Sequence, residues 1–246
     1  MAITDLSHAR ADSFRKSFDG RRLNTYRGLP IYAARELHPA AHRMLEESVG
    51  PGGRVLDVGA GAGAMSLRLG DAGYEMTATD LFRASFRAPG IPFVQADLNT
   101  PFACHLPGPF DAVVALEIIE HLENPRHVLR QLRALLPKGG QLVLSTPNIS
   151  NPVSQALFLR RGQYQWFSDN DYHEQGHITP LSPWTLVKAL EESGFVVRQE
   201  LGVGNPFARS RKLGLSVRVL SYTFALINGL PRSRRGEVWL VRAEAI

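Results

Sequence analysis

The stretch "ALEIIEHLENP", Ala115 to Pro125, sets Glu117, Glu120 and His121 within five residues of one another. Carboxylates and an imidazole at this spacing can accept a proton or hold a divalent cation, and a helix would stack them on one face. A first helical turn rich in acid is the plainer reading of the same residues. A second concentration, "QYQWFSDNDYHEQGHITP", carries His173 and His177 among Tyr164, Trp166, Phe167 and Tyr172. Aromatics and histidines in a polar connection suit a cover over a ring-shaped or sugar substrate. The remaining histidines, His8, His38, His42, His105 and His127, form no constellation.

A third stretch, "VLDVGAGAGAM", places Gly59, Gly61 and Gly63 between an apolar run and a helical pattern. Glycines permit the sharp turn and the close approach of a ligand to the backbone, and the helix start offers free N–H groups. A dinucleotide fold accepts the same letters as Gly59-x-Gly61-x-x-Ala64, so the loop alone does not choose its ligand. Its surroundings do. Asp80 ends the next apolar run, where a carboxylate can accept from both ribose hydroxyls, and Asp97 ends the one after, where it can accept from an adenine amine. Asp57 precedes the first glycine by two residues and can meet an ammonium group, whereas a pyrophosphate would be repelled there. An ammonium, a ribose and an adenine describe S-adenosylmethionine better than NAD.

Positioning these groups requires a layered scaffold. Short apolar runs alternate with helical patterns from about residue 53 to 201, which predicts an α/β protein with a parallel sheet covered on both faces. "GRVLDVG", "YEMTATD", "IPFVQAD", "FDAVVALE", "QLVLSTPN" and "FVVRQEL" read as strands, and "EVWLVRAEA" closes the sheet. "GAMSLRLGDAG", "NPRHVLRQLRALLPKGG" and "SPWTLVKALEESGF" read as helices, with glycine, proline and serine at the expected ends. Residues 1–35 form an N-terminal cap segment and 36–246 the main domain. That domain carries two insertions, a substrate lid over 146–181 and a basic amphipathic segment over 203–236.

Composition narrows the class. A hydrophobic share of 44% and a charged share of 21% are those of a globular protein, and the single Cys104 excludes an internal disulfide and a cysteine-rich zinc module. No apolar run reaches spanning length and the first residues lack a secretory pattern, so a cytoplasmic protein is expected. The net charge of +5 is local: residues 203–235 hold seven basic residues and no acid, leaving 21 basic against 23 acidic, or −2, for the rest. Such a segment points to one anionic contact. Its apolar middle, "LGLSVRVLSYTFALINGLP", reads as a helix packed on the domain or as a lid. With its basic flanks it also reads as a peripheral contact at the inner membrane face through 209–235. It lacks the aromatic interleaving of a single-strand binding surface, which argues against nucleic acid.

Taken in order, "VLDVGAGAG", "TATDL", "QADLN", "FDAVVALEIIEHLENP", "LLPKGGQLVLSTPN" and "ALEESGF" resemble the class I S-adenosylmethionine-dependent methyltransferases over roughly residues 40 to 201. Within them they resemble the group that includes the ubiquinone-biosynthesis O-methyltransferases (methyltransferase type 11/23). The resemblance implies a Rossmann-like, doubly wound, seven-stranded sheet whose last strand is antiparallel. It implies S-adenosylmethionine as cofactor, a pocket lined by Leu81, Leu98, Leu116 and Glu117, and Asp80 on the ribose. It also implies methyl transfer, with a hydroxyl oxygen of a small molecule, glycan or isoprenoid as acceptor and with His121, His173 and His177 near it. Two groups in the family bind Mg²⁺ through a similar E-x-x-E-H, which would make Glu117, Glu120 and His121 ligands, joined by His173 or His177. Many members carry the motif without metal, so Mg²⁺ is the less favoured reading. The alternatives are an RNA 2′-O-methyltransferase, a non-catalytic S-adenosylmethionine-binding module and an NAD-dependent dehydrogenase.

Overall fold

The structure, a computed structural model, describes residues 24–208 and 213–246. Most of the N-terminal cap segment, and Arg209, Arg211 and Lys212 of the basic segment, therefore lie outside the described residues. A hairpin of β1 (Asn24–Tyr26) and β2 (Leu29–Ile31) comes first, then α1 (Leu37–Glu46). The main sheet begins with β3 (Arg54–Val58), α2 (Ala64–Asp71), β4 (Glu75–Asp80) and β5 (Phe93–Gln95). The chain then crosses back for β6 (Ala112–Ala115), α3 (Pro125–Ala134) and β7 (Gln141–Pro147). After α4 (Pro152–Arg161) come α5 (Pro183–Glu192), β8 (Phe195–Val203), α6 (Leu215–Ile227) and β9 (Val238–Ala245).

The sheet has seven strands in the order β5-β4-β3-β6-β7-β9-β8. Neighbours from β5 to β7 run parallel, while β9 is antiparallel to both β7 and β8, so the doubly wound fold with a reversed last strand is met. Parallel strands buried on both faces must be apolar throughout, and successive residues feed opposite faces. Leu56, Val113, Leu142 and Val241 enter one core with Leu129, Phe195 and Trp239; Val55, Val114, Val143 and Leu240 enter the other with Leu37 and Leu45.

Chain order reverses between β3 and β6, and a crevice opens at the carboxyl ends of strands at such a point. The glycine loop after β3, Asp80 at the end of β4 and the "EIIEH" segment after β6 all converge there. Helix starts follow the sequence signals: the side chains of Asn124, Asn151 and Ser182 accept the backbone N–H of His127, Ser154 and Thr185, each with proline next in the chain.

Three elements differ from the sequence reading. "EIIEH" is not an α-helix but a single 3₁₀ turn over Ile119–His121, preceded by Glu117 in a left-handed conformation at φ +49°. The supposed lid loop contains a regular helix, α4, and a short π turn over Asp171–Gln175. Ahead of residue 53, where no element was expected, α1 packs against β7 and β9, and the hairpin docks on α2. Tyr26 donates to Asp71 at 2.8 Å, Arg27 pairs with the same carboxylate, and Arg68 lies over the Tyr26 ring.

Candidate functional site

At the switch point lies a cavity of about 810 Å³. That volume falls toward the upper end of the roughly 300–1,000 Å³ range of ligand clefts, enough for a large cofactor and a second reactant. Asp57, Gly59, Gly61, Asp80, Leu81, Asp97, Leu98, Leu116 and Glu117, all expected from the sequence as cofactor contacts, stand in its wall.

The glycine loop divides its work. At Gly59 a Cβ would come within 2.6 Å of Ile118, so glycine lets β3 and the β6 loop close together. At Gly61, φ +53°, a Cβ would meet nothing nearer than Tyr32 at 4.0 Å, leaving its backbone bare toward the cavity. Gly63 departs from expectation: it is absent from the cavity wall, and a Cβ there would strike Ala88 and Phe86 at 2.7 Å. Its part is to turn the chain into α2 beneath the loop, at φ +87°.

Asp80 accepts the Gly61 N–H at 2.9 Å and the Phe82 N–H at 3.1 Å, which ties the end of β4 to the glycine loop. Burial raises its carboxyl above the ordinary range against the pull of those amides. Asp57 is buried and accepts the Ser66 hydroxyl at 2.5 Å. Burial first, and then the charge of Asp80, push it up to about 6 despite that bond. Asp97 caps its own turn by accepting the Asn99 N–H at 2.9 Å, and still borders the cavity.

Burying Asp57 within the field of Asp80 is costly, and a cationic ligand group beside Asp57 would relieve that penalty. The bare backbone at Gly61, the two strand-end carboxylates and the apolar walls of Leu81, Leu98 and Leu116 therefore fit a cationic nucleoside. Among these residues, Asp57 and Glu117 could take an ammonium, Asp80 a diol and Asp97 an amine.

The opposite wall holds the imidazoles. Ile178 and Thr179 donate their N–H groups to the Glu120 carbonyl at 3.0 and 2.9 Å, and the Thr179 hydroxyl donates to the Leu122 carbonyl. These bonds pin the end of the 146–181 insertion to the 3₁₀ turn and bring His177 against His121, ring centroids 4.8 Å apart and edge to face. Both line the cavity. His173 does not: it is exposed and packs edge-on against Tyr172, outside the wall. One ring nitrogen of His177, Nδ1, lies 2.7 Å from the Trp166 carbonyl. A carbonyl only accepts, so Nδ1 carries the hydrogen and Nε2 is left basic in the neutral ring. Burial lowers both rings, His121 to about 3 with help from its neighbour His177.

Glu117 and Glu120 part ways. Glu117 receives its own backbone restraint from Ser145 of β7: its N–H donates to the Ser145 oxygen, and the Ser145 hydroxyl donates to its carboxylate at 2.8 Å. Burial lifts it to about 7. Glu120 is fully buried, accepts from Thr146, and is pushed well above the carboxylate range by burial and by the charge of Glu117. One of its oxygens has no hydrogen-bond partner among the described residues. Glu120, His121 and His177 each offer a ligand atom within 4.8 Å of the others, so a cation could sit there. The ligand set is not the Glu117–Glu120–His121 set expected from the sequence, and two imidazoles with one carboxylate suit a borderline transition metal better than Mg²⁺.

Sequence reasoning missed His38, Tyr32 and Glu237, which also line the cavity. His38 is buried and lowered to about 4, by burial and then by Arg68. The apolar spacing of Leu37, Ala40, Ala41, Met44 and Leu45 was the available signal for the helix that carries it.

The family model described as a methyltransferase domain matches residues 31–200. The Ubiquinone biosynthesis O-methyltransferase of Xanthomonas campestris pv. campestris (strain B100) is 31% identical over 153 residues, covering 57% of this chain and 64% of that protein. The chain thus spans less than two thirds of that relative's length. The protein of the same name from Azotobacter vinelandii (strain DJ / ATCC BAA-1303) is 28% identical over 198 residues, covering 75% and 83%. The solved structure of the N-methyltransferase NodS from Bradyrhizobium japonicum WM9, in complex with S-adenosyl-l-homocysteine, superposes with a TM-score of 0.56 at 16% identity, over 98% of this chain and 97% of that one. This last likeness is one of fold.

Proposed function

Since this chain belongs to the S-adenosylmethionine-dependent methyltransferase family, we propose that it transfers the cofactor's methyl to a hydroxyl oxygen carried by a small molecule, a glycan or an isoprenoid. The observation that carries the choice of oxygen is the His177 ring, whose Nδ1–H is committed to the Trp166 carbonyl so that Nε2 is the basic nitrogen. The bound cofactor supplies an electrophilic methyl; this chain must supply a proton acceptor, orientation and a dry site. His177 takes the hydroxyl proton, and His121, packed edge-on against it, holds the ring in place. Trp166, Ile178 and Leu122 wall the site from water. Much of the acceleration comes from holding the reacting atoms in line. The name shared by the curated relatives supports an oxygen acceptor.

Asp57 is assigned to the ammonium of the cofactor's amino-acid end. Its carboxyl titrates near 6 when no cation faces it. Pairing with an ammonium favours the ionised form and lowers that value. Affinity for S-adenosylhomocysteine should then fall by about tenfold per unit as the pH drops below about 6, in addition to any change near 7 from Glu117. The ligand amine, more basic than a peptide's amino terminus at about 8, stays protonated throughout and contributes no slope there. Isothermal titration from pH 5 to 7 checks this, and Asp57→Asn should flatten the curve. A slope that persists in the variant would reassign the ammonium.

A second reading, an RNA 2′-O-methyltransferase using a metal at Glu120, His121 and His177, draws on the closeness of those three groups. Incubation with methyl-labelled cofactor and a fractionated extract of the source separates the two. The oxygen reading expects label in a low-molecular-weight or lipid-extractable product, stable to alkali as an ether is, with the rate unchanged in EDTA. Label in RNA that vanishes on chelation would replace it with the second reading.

A further inference from the structure

The helix pair α4 and α6 presents an apolar face that the core does not use, and we propose that this face docks on an anionic lipid surface, with both helices lying in the plane of the headgroups. Helix α6 is apolar on two sides. Val217, Leu220 and Phe224, at helical spacing, turn inward and pack with Val153, Ala156 and Leu157 of α4. Leu215, Val219, Tyr222 and Leu226 recur at intervals of four, three and four residues and form the opposite stripe. They are exposed, Leu215 by 73% and Leu226 by 87%, and Ile227 beside them by 70%. Phe158 and Leu159, near the end of α4, are exposed by 50% and 65%. A helix on the surface of a soluble domain puts polar groups on the side that faces water, and here only Ser216 and Thr223, at the edge of the stripe, are exposed and polar within α6.

Charge decides what covers the face. Sequence stretches 124–168 and 203–236, which contain the two helices, hold no acidic residue. Exposed Arg160 and Arg161 end α4, and exposed Arg232 follows α6. Arg209, Arg211 and Lys212 precede α6 in sequence. An apolar stripe flanked by basic residues, on two stretches that carry no acid of their own, complements anionic headgroups over acyl chains. The helix is too short to go further: its 13 residues reach about 20 Å, against about 30 Å for a hydrocarbon core. Among the described residues no helix is long and apolar enough to cross a membrane. A smaller hollow of about 220 Å³, lined by Leu157, Arg161, Tyr164, Leu213 and one acid, Asp171, lies at the base of the pair, and Trp166 lines both it and the main cavity. The docked face would therefore stand beside the site.

Co-sedimentation with vesicles of phosphatidylcholine alone, or with one third phosphatidylglycerol, tests the proposal. Wild type should bind the anionic vesicles at least about tenfold more tightly than the neutral ones. Arg160→Gln with Arg161→Gln should lose about twentyfold on anionic vesicles, at about fivefold per charge. Leu226→Glu with Ile227→Glu should lose at least about tenfold. None of these residues lines the main cavity, so affinity for S-adenosylhomocysteine should not change in either variant, which also certifies the fold. Equal binding of wild type to both vesicle types, or none, would overturn the proposal. So would a wild-type dimer in lipid-free sedimentation velocity that the Leu226 and Ile227 changes dissociate, with no vesicle binding. The oxygen reading is independent of this outcome: a labelled ether product formed without vesicle binding would keep that reading and remove this one.

Discussion

Replacing Gly61 with valine should lower affinity for S-adenosylhomocysteine by at least about a hundredfold, about 2.7 kcal/mol, while leaving a folded protein. At φ +53° the residue is in the left-handed region, and the space a Cβ would enter is the cavity itself, with the nearest protein atom 4.0 Å away. The side chain thus has no protein to displace and only the ligand to exclude. Backbone strain of about 1–2 kcal/mol should cost a few degrees of melting temperature. Gly63→Ala should do the reverse: its Cβ would meet Ala88 and Phe86 at 2.7 Å, so the protein loses stability without a side chain entering the cavity. Isothermal titration beside thermal melts separates the two. Wild-type affinity in Gly61→Val would mean that the cofactor does not lie along this loop.

The second large effect belongs to His177. Its replacement by alanine should lower kcat by about 10²- to 10⁴-fold, the usual worth of a positioned base, with cofactor affinity unchanged. Burial lowers the ring below the ordinary histidine range, partly offset by the bond to the Trp166 carbonyl. The neutral, active ring therefore persists to lower pH than usual. The wild-type rate should hold through about pH 6.5 and fall only as acid protonates Nε2 beneath that. His173→Ala, at an exposed position of the same insertion, should change kcat by less than about twofold. Equal losses in His173→Ala and His177→Ala would point to disruption of the 146–181 insertion in place of proton transfer.

The parts of the site that the sequence disclosed are those whose position follows from local order. Gly59, Gly61, Asp80 and Asp97 sit at strand ends, and a parallel sheet brings strand ends to one edge. What the sequence could not disclose depends on contacts across the chain. The pairing of His121 with His177 rests on two amides, of Ile178 and Thr179, bonded to one carbonyl of Glu120. Both histidines of the 146–181 insertion are equally plausible from composition, and only those bonds put one inside and leave the other in water.

The Glu117–Glu120–His121 spacing invited a helix, but Ser145 of the neighbouring strand takes both the N–H and a carboxylate oxygen of Glu117 and holds it in a left-handed turn. Tertiary contacts overrode local spacing there, and Glu117 is not among the groups whose ligand atoms come together, which are Glu120, His121 and His177. Helix α4 was legible in principle, since Asn151, Pro152 and the apolar Val153, Ala156 and Leu157 form a cap and a stripe. The aromatic, polar half that follows it dominated the reading of the whole insertion.

Everything proposed for the acceptor side presupposes that the cofactor lies between the glycine loop and the ends of β4 and β5. A crystal structure with S-adenosylhomocysteine tests this most directly. The amino-acid end should lie against Gly59 and Asp57, the ribose at Asp80 and the adenine beside Asp97 and Leu98, with the sulfur turned toward His121 and His177. Ligand density elsewhere on the protein, or a ligand in the cavity with its ribose away from Asp80, would contradict it.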